Sequence, residues 1–115
     1  MPAPFEEMST LDRLVHEPAR LAILTALAAC RTADFLFLQS LTGLTKGNLS
    51  NHLAKLEQAG LVEIEKTFKG KVPNTAARLT SFGRNSIERH WKRLEDLRLA
   101  ARRWPSKRRR RPAAE

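Results

Sequence analysis

The chain has 115 residues and a formal net charge of +9, with a sequence pI near 10.8; that length suits one domain and leaves no room for a second core. At 42% hydrophobic and 29% charged residues it can bury a core and is not disordered throughout. A single cysteine, Cys30, excludes a disulfide framework and an all-cysteine metal site, and no apolar run approaches the roughly 18 residues of a bilayer span.

The first stretch, residues 1–9, is acidic, lacks an apolar signal core and reads as an extension, so a cytoplasmic protein without a membrane partner is expected. Helix is expected from Thr10 to Ala29, capped by Ser9 or Thr10, with Leu11, Leu14 and Val15 on one stripe. Pro18 interrupts it, so a short first helix, a kink and a second segment starting near Pro18, at a first-turn position, are expected. Thr32 and Ala33 read as a connector. Asp34 can cap a short apolar helix from Phe35 to Leu41, and Gly43 can end it in a left-handed conformation. Thr45 can cap the next helix, Lys46 to Ala59, in which Leu49, Leu53 and Leu56 recur at i, i+4 and i+7.

Beyond Gly60 the period changes. Val62 to Lys66 alternates as a half-buried strand, Phe68 to Asn74 is rich in turn formers and reads as a hairpin tip, and Thr75 to Leu79 can return as a second strand. Thr80 or Ser81 then caps a long last helix reaching about Arg103. This order gives a mainly α fold with a small β-hairpin, an α+β class: a winged helix-turn-helix over residues 10–101 with a long C-terminal helix.

The charge is unevenly placed. Seven of the 21 basic residues fall between Arg102 and Arg111, opposed there only by Glu115. Residues 102–115 therefore read as a basic, disordered tail, either a solubilising terminus or an arm that neutralises phosphates. Within the domain, Leu49, Leu53 and Leu56 fix one helix face to the core, which sets Asn48, Asn51, His52 and Lys55 elsewhere on the cylinder. Asn amides can read adenine, Lys can meet guanine or phosphate, and the free N–H groups near Lys46, Gly47 and Asn48 favour an anion. Lys66, Lys69 and Lys71 surround Gly70, with Asn74 and Arg78 on the return strand. That finger is either an ordinary solvated turn or a contact for a minor groove or the flanking backbone.

The run Thr45 to Val62, with Ser50-Asn51-His52-Leu53, Leu56 and Gly60-Leu61-Val62, resembles the recognition helix and first wing strand of ArsR/MarR-type winged-helix regulators. Pro18 to Leu24 and Arg78 to Arg84 extend the likeness to roughly residues 10–97. The resemblance implies a homodimeric transcription factor that binds double-stranded DNA through Thr45, Lys46, Asn48, Ser50, Asn51, His52 and Lys55 in the major groove. Lys69, Lys71, Asn74 and Arg78 would then serve the wing. For His52 the alternatives are a base or phosphate contact, which is favoured, and a hydrogen bond that only orders the turn.

The same resemblance gives the terminal helices to a dimer interface, through Leu11 and Leu14 of the first helix and Ile87, Trp91, Leu94 and Leu97 of the last. That last stripe could equally close the monomer's own core. No cofactor or metal is expected. The short helix at Phe35 lacks a cysteine pair, and His90 with Glu88 and Glu95 among Arg89, Lys92 and Arg93 makes a poor cation site. Cys30 reads as a small hydrophobe or, if exposed beside Arg31, a redox candidate. Trp104 can cap a dimer seam, stack on a partner or stand exposed. An RNA-binding or ribosome-associated winged helix and a protein-interaction module are the alternatives. An enzyme fits worst, for want of a phosphate loop, an activated nucleophile or an apolar carboxylate pair.

Overall fold

A computed structural model describes residues 10–103; the N-terminal extension and most of the expected basic tail, Trp104 included, lie outside the described residues. Helix α1 (Thr10–His16) stops just before Pro18, which opens α2 (Pro18–Ala29) at a first-turn position where its missing N–H is not required. Glu17 caps α2 by accepting from the backbone N–H of Arg20 at 3.0 Å. The expected break is present.

Ala33 and Asp34, read from sequence as connector and cap, form a minimal strand β1. Asp34 also caps α3 (Phe35–Thr42), its Oδ1 accepting from the Phe37 N–H at 2.8 Å. Gly43 ends α3 at φ 69°, a left-handed conformation that suits glycine. Thr45 caps α4 (Lys46–Gln58) by accepting from the Asn48 N–H at 3.2 Å.

The hairpin is longer than its turn-rich sequence suggests. Strand β2 runs Val62–Lys69 and β3 runs Val72–Leu79, paired antiparallel from Val62↔Leu79 to Lys69↔Val72. The tip is therefore Gly70-Lys71 alone, and Phe68, Lys69, Val72, Pro73 and Asn74 belong to the strands. Gly70 has φ 66° and Lys71 a negative φ, the demand of a two-residue II′ hairpin turn, which matches the strand twist and lets pairing run to the end. With β1 the sheet has the order β1-β3-β2.

Helix α5 (Ser81–Arg103) ends where its sequence pattern predicts, and it takes in Arg102 and Arg103, the first residues of the expected basic tail. Thr80 seats its start: its Oγ1 accepts from the Gly83 N–H at 2.9 Å and donates to the Gly60 carbonyl at 2.6 Å. Gly83 is where a side chain has no space, since an added Cβ would stand 1.9 Å from the Leu61 carbonyl oxygen. The first turn of α5 thus lies directly on the root of the hairpin. Ile23, Leu24 and Leu27 of α2 meet Leu38, Leu49, Leu56, Leu61 and Ile87 in one core, all essentially solvent-free. The result is a winged-helix α+β fold with a long C-terminal helix.

Candidate nucleic-acid interface

Helix α4 is held as its leucine spacing requires. Leu49, Leu53 and Leu56 are buried, and Lys46, Asn48, Ser50, Asn51 and Lys55 are exposed. Asn51 and Lys55 stand opposite the leucine stripe at ~100° of turn per residue, with Asn48 beside them. Ser50 lies on one flank and His52 on the other. Thr45 is exposed, but its hydroxyl is engaged in capping the helix.

His52 is less exposed than its polar neighbours on α4. Only 19% of its side chain is exposed, and its Nδ1 lies 3.6 Å from Glu17 Oε2. Its position is about 60° from the leucine stripe, close enough for the ring to roll onto the N-terminus of α2 rather than outward. The ring therefore packs beside the N-terminus of α2 without a hydrogen bond to Glu17. Glu17, which no local pattern singles out, also lies 3.5 Å from Arg20 Nε. Burial pushes the Glu17 pKa up. Hydrogen bonds from the Arg20 and Ala19 backbone and the nearby His52 and Arg20 charges outweigh it, and the net displacement is downward. Such a group leaves no signal in a single sequence, because it serves as an ordinary helix cap.

The hairpin lysines, grouped together by sequence, divide between two faces. Strand alternation and the pairing register put Val62, Ile64, Lys66 and Phe68 with Leu79, Ala77, Thr75 and Pro73 on one face. That face looks at α4. Ile64, Lys66 and Thr75 line a groove of about 280 Å³ whose opposite wall is Ser50, Leu53, Ala54 and Glu57.

The other face carries Lys69, Asn74 and Arg78 together with Glu63 and Glu65. There Arg78 donates to Glu63 through Nε at 2.9 Å and Nη2 at 2.6 Å, and Lys69 Nζ lies 3.8 Å from Asp34 Oδ2. Asn74 is half-buried and Lys71 is exposed on the turn. Lys66 is thus the strand lysine that shares a surface with α4, and period-two alternation from Val62 was the available signal.

The terminal helices need a correction. Ile87 is 1% exposed inside the chain's own core and offers nothing to a partner. Leu11, Leu14, Leu94 and Leu97 are half-buried, and Trp91 is 45% exposed with its indole N–H donating to Thr25 Oγ1 at 3.0 Å. Between α1 and α5 lies a polar cluster that the sequence did not disclose. His90 is buried, its Nε2 is 2.9 Å from His16 Nδ1, and its Nδ1 is 3.8 Å from Asp12 Oδ1. Arg93 pairs with the same Asp12. Burial, the His16 ring and Arg93 push the His90 pKa down, against an upward pull from Asp12.

Glu88 is exposed and Glu95 pairs with Arg98 at 2.7 Å, so neither joins His90. Among the described residues no group of His, Cys, Asp and Glu could hold a metal ion. Cys30 is half-buried and closes α2, its N–H donating to the Ala26 carbonyl at 3.0 Å. No helix among the described residues is long and apolar enough to cross a membrane.

A short capped helix fixed by three leucines, a tight glycine turn before it and a projecting hairpin after it is the arrangement described by the winged helix DNA-binding domain family, whose model matches residues 19–97. The chain belongs to that family. Within it, the chain is 34% identical over 79 residues to an uncharacterized protein of Methanocaldococcus jannaschii, across 68% of this chain and 85% of the relative. A transcriptional regulator homologue from Pyrococcus horikoshii OT3 superposes with a TM-score of 0.77 at 30% identity, over 85% of this chain and 96% of that one. A MarR-like transcription regulator of Bacillus cereus shares the fold at 16% identity, with a TM-score of 0.62 over 86% of this chain and 74% of that one. The protein is thus a winged-helix DNA-binding domain with transcriptional regulators as its structural neighbours.

Proposed function

We propose that this protein is a sequence-specific, double-stranded DNA-binding transcriptional regulator that acts as a homodimer without catalysis. The exposed surface of α4 carries the reading: Asn48, Asn51 and Lys55 on its outer face and Lys46 at its start are all exposed, all hydrogen-bonding or cationic, and none acidic. Seated in a major groove, Asn51 and Asn48 present amides to base edges while Lys46 and Lys55 meet guanine or phosphate. Ser50 and Lys66 flank the same surface, and the free N–H groups at the start of α4 suit a backbone phosphate.

Two such helices in a two-fold dimer would lie about 34 Å apart, matching successive major grooves on one side of a duplex. The remaining apolar seam of Leu11, Leu14, Trp91, Leu94 and Leu97 on α1 and α5 suits that pairing.

The test is selection of duplex fragments from a random pool, followed by titration at rising salt with structured RNA as competitor. Affinity should fall steeply with salt as phosphate contacts are screened. The double change Lys46→Glu, Lys55→Glu should cost at least roughly tenfold, and Asn51→Ala should relax choice at one base by about 1–3 kcal/mol. Salt-independent binding, or preference for the RNA, would overturn the reading.

A further inference from the structure

The hairpin carries a feature that phosphate binding leaves unexplained. Phe68 is 71% exposed, the most exposed large hydrophobic side chain among the described residues. It pairs across the ladder with Pro73, one rung before the Gly70-Lys71 turn. Both lie on the face shared with Ile64 and Lys66, which looks toward α4. The fold does not need this ring: along that face burial decays from Val62 through half-buried Ile64 to exposed Lys66 and Phe68. Four rungs, from Lys66 to Lys69, therefore stand beyond the core, a reach of about 10 Å at strand rise.

An apolar tip set among cations has one natural counterpart in a polyanionic ligand. Lys66 shares the face of Phe68 and Pro73, Lys71 stands on the adjoining turn, and both are complementary to phosphates. The ring and the pyrrolidine are complementary to what lies between two phosphate rails, the floor of a minor groove and the faces of its base pairs. Apolar side chains placed there part adjacent base pairs and bend the duplex. Pyrimidine–purine steps yield most easily, so such a wedge adds preference at a position that no hydrogen bond reads.

We propose that the hairpin is a wedge: Phe68, backed by Pro73 and steered by Lys66 and Lys71, inserts against a flexible base step in the minor groove flanking the α4 site and bends the DNA there. Lys69 contributes less, because it leans toward Asp34 on the opposite face. The proposal rests on the DNA-binding reading above but goes beyond it, since a wing that only touched phosphates would need no aromatic.

The experiment uses the full chain and a duplex recovered by selection. The duplex is labelled at both ends for energy transfer and carries 2-aminopurine in a TA step flanking the protected site. Binding should brighten the 2-aminopurine and shorten the end-to-end distance. Phe68→Ala should abolish both signals and weaken binding roughly tenfold, as loss of one base–aromatic contact does, with no change in salt dependence. Phe68→Leu should keep part of each signal. Both variants should melt like the parent, because the ring is outside the core.

An unbent duplex with silent 2-aminopurine, or a Phe68→Ala protein that binds and bends like the parent, overturns the wedge. Should Asn51→Ala still lose base selectivity in that case, the failure belongs to the wedge alone. A parent chain that retains no duplex at all removes the DNA-binding reading and the wedge with it.

Discussion

Helix α4 and the hairpin that follows it face the same ligand with opposite economies. The helix presents its groups by being immobilised: Leu49 and Leu56 are fully buried, Leu53 is 5% exposed, and His52 on one flank is half-buried beside Glu17. The hairpin presents its groups by leaving the core altogether, with every residue from Glu65 to Lys69 exposed. One element offers fixed geometry, which base reading requires. The other offers reach and charge, with its position set at the root, where Leu61 and Thr80 join, and by the pairing of β3 with β1. Precision is therefore concentrated in α4, and a change of equal chemical size should matter very differently in the two places.

The widest difference expected is between Leu53→Ala and Phe68→Ala. Leu53 is only 5% exposed and packs from α4 against the core, so truncation removes buried contacts and should cost about 2–5 kcal/mol of stability. Phe68→Ala removes a larger ring yet should stay within about 0.5 kcal/mol, because its surroundings are water. Chemical denaturation of both variants checks this, and a comparable loss in the two would mean that the hairpin folds back onto the domain.

Gly83→Ala attacks the joint between the two regions. Its new Cβ would meet the Leu61 carbonyl oxygen at 1.9 Å, and backbone must shift to admit it. A cost of about 1–3 kcal/mol is expected from such overpacking. The displaced atom belongs to the root of the hairpin, so binding should weaken in excess of the lost stability. Equilibrium unfolding and duplex titration of the same variant separate the two effects.

The contrast also explains what the sequence disclosed. The leucine period in α4, the caps at Asp34 and Thr45, the glycine stop at Gly43 and the proline at Pro18 are local rules, each obeyed where it was read. Composition predicts too wide a hairpin tip because Pro73 and Asn74 are turn formers by type, whereas the two-residue Gly70-Lys71 turn, with Gly70 in a left-handed conformation, reverses the chain. Periodicity gives His52 an angle but not a partner, and Glu17 lies 35 residues away in sequence. The same holds for Ile87, which belongs to a continuous apolar stripe whose first residue lies in the core while the rest reaches its edge. Long-range pairings such as Asp12 with Arg93 are set by the docking of α1 on α5, and no local pattern encodes them.

Within the hairpin a smaller comparison is available. Lys66 shares the groove face with Ser50 and Ala54, whereas Lys69 sits on the face that carries Glu63 and Glu65 and leans toward Asp34. If the groove face meets the DNA, Lys66→Ala should lower the slope of log affinity against log salt by about 0.9, the value of one phosphate contact. Lys69→Ala should leave the slope nearly unchanged. Equal losses would mean that the ligand takes the hairpin edge-on, and the two faces would then have no separate roles.

The mildest effect should come from protons, and it should touch the helical frame while sparing the hairpin. His90 is buried against His16 and Asp12 of α1 and lies beside Arg93 of its own helix, and burial foremost depresses its pKa below the ordinary 6.5. The folded state therefore holds His90 neutral where the unfolded chain already binds a proton. Stability from this site is complete above about pH 6.5 and declines as the pH falls from there toward the lower folded value. Glu17, also depressed, acts in a separate window that opens only below its ordinary 4.5. Melting curves at pH 7.5, 6.5 and 5.5 should show a falling midpoint in the parent and a flatter one in His90→Gln, which keeps polarity without titrating. The His90 cluster joins α1 to α5 and includes no hairpin residue, so the salt slope of DNA binding should not move with pH. A slope that changed in step with the melting temperature would show that the α1–α5 joint and the hairpin are coupled, and that the rigid and the projecting parts are not independent.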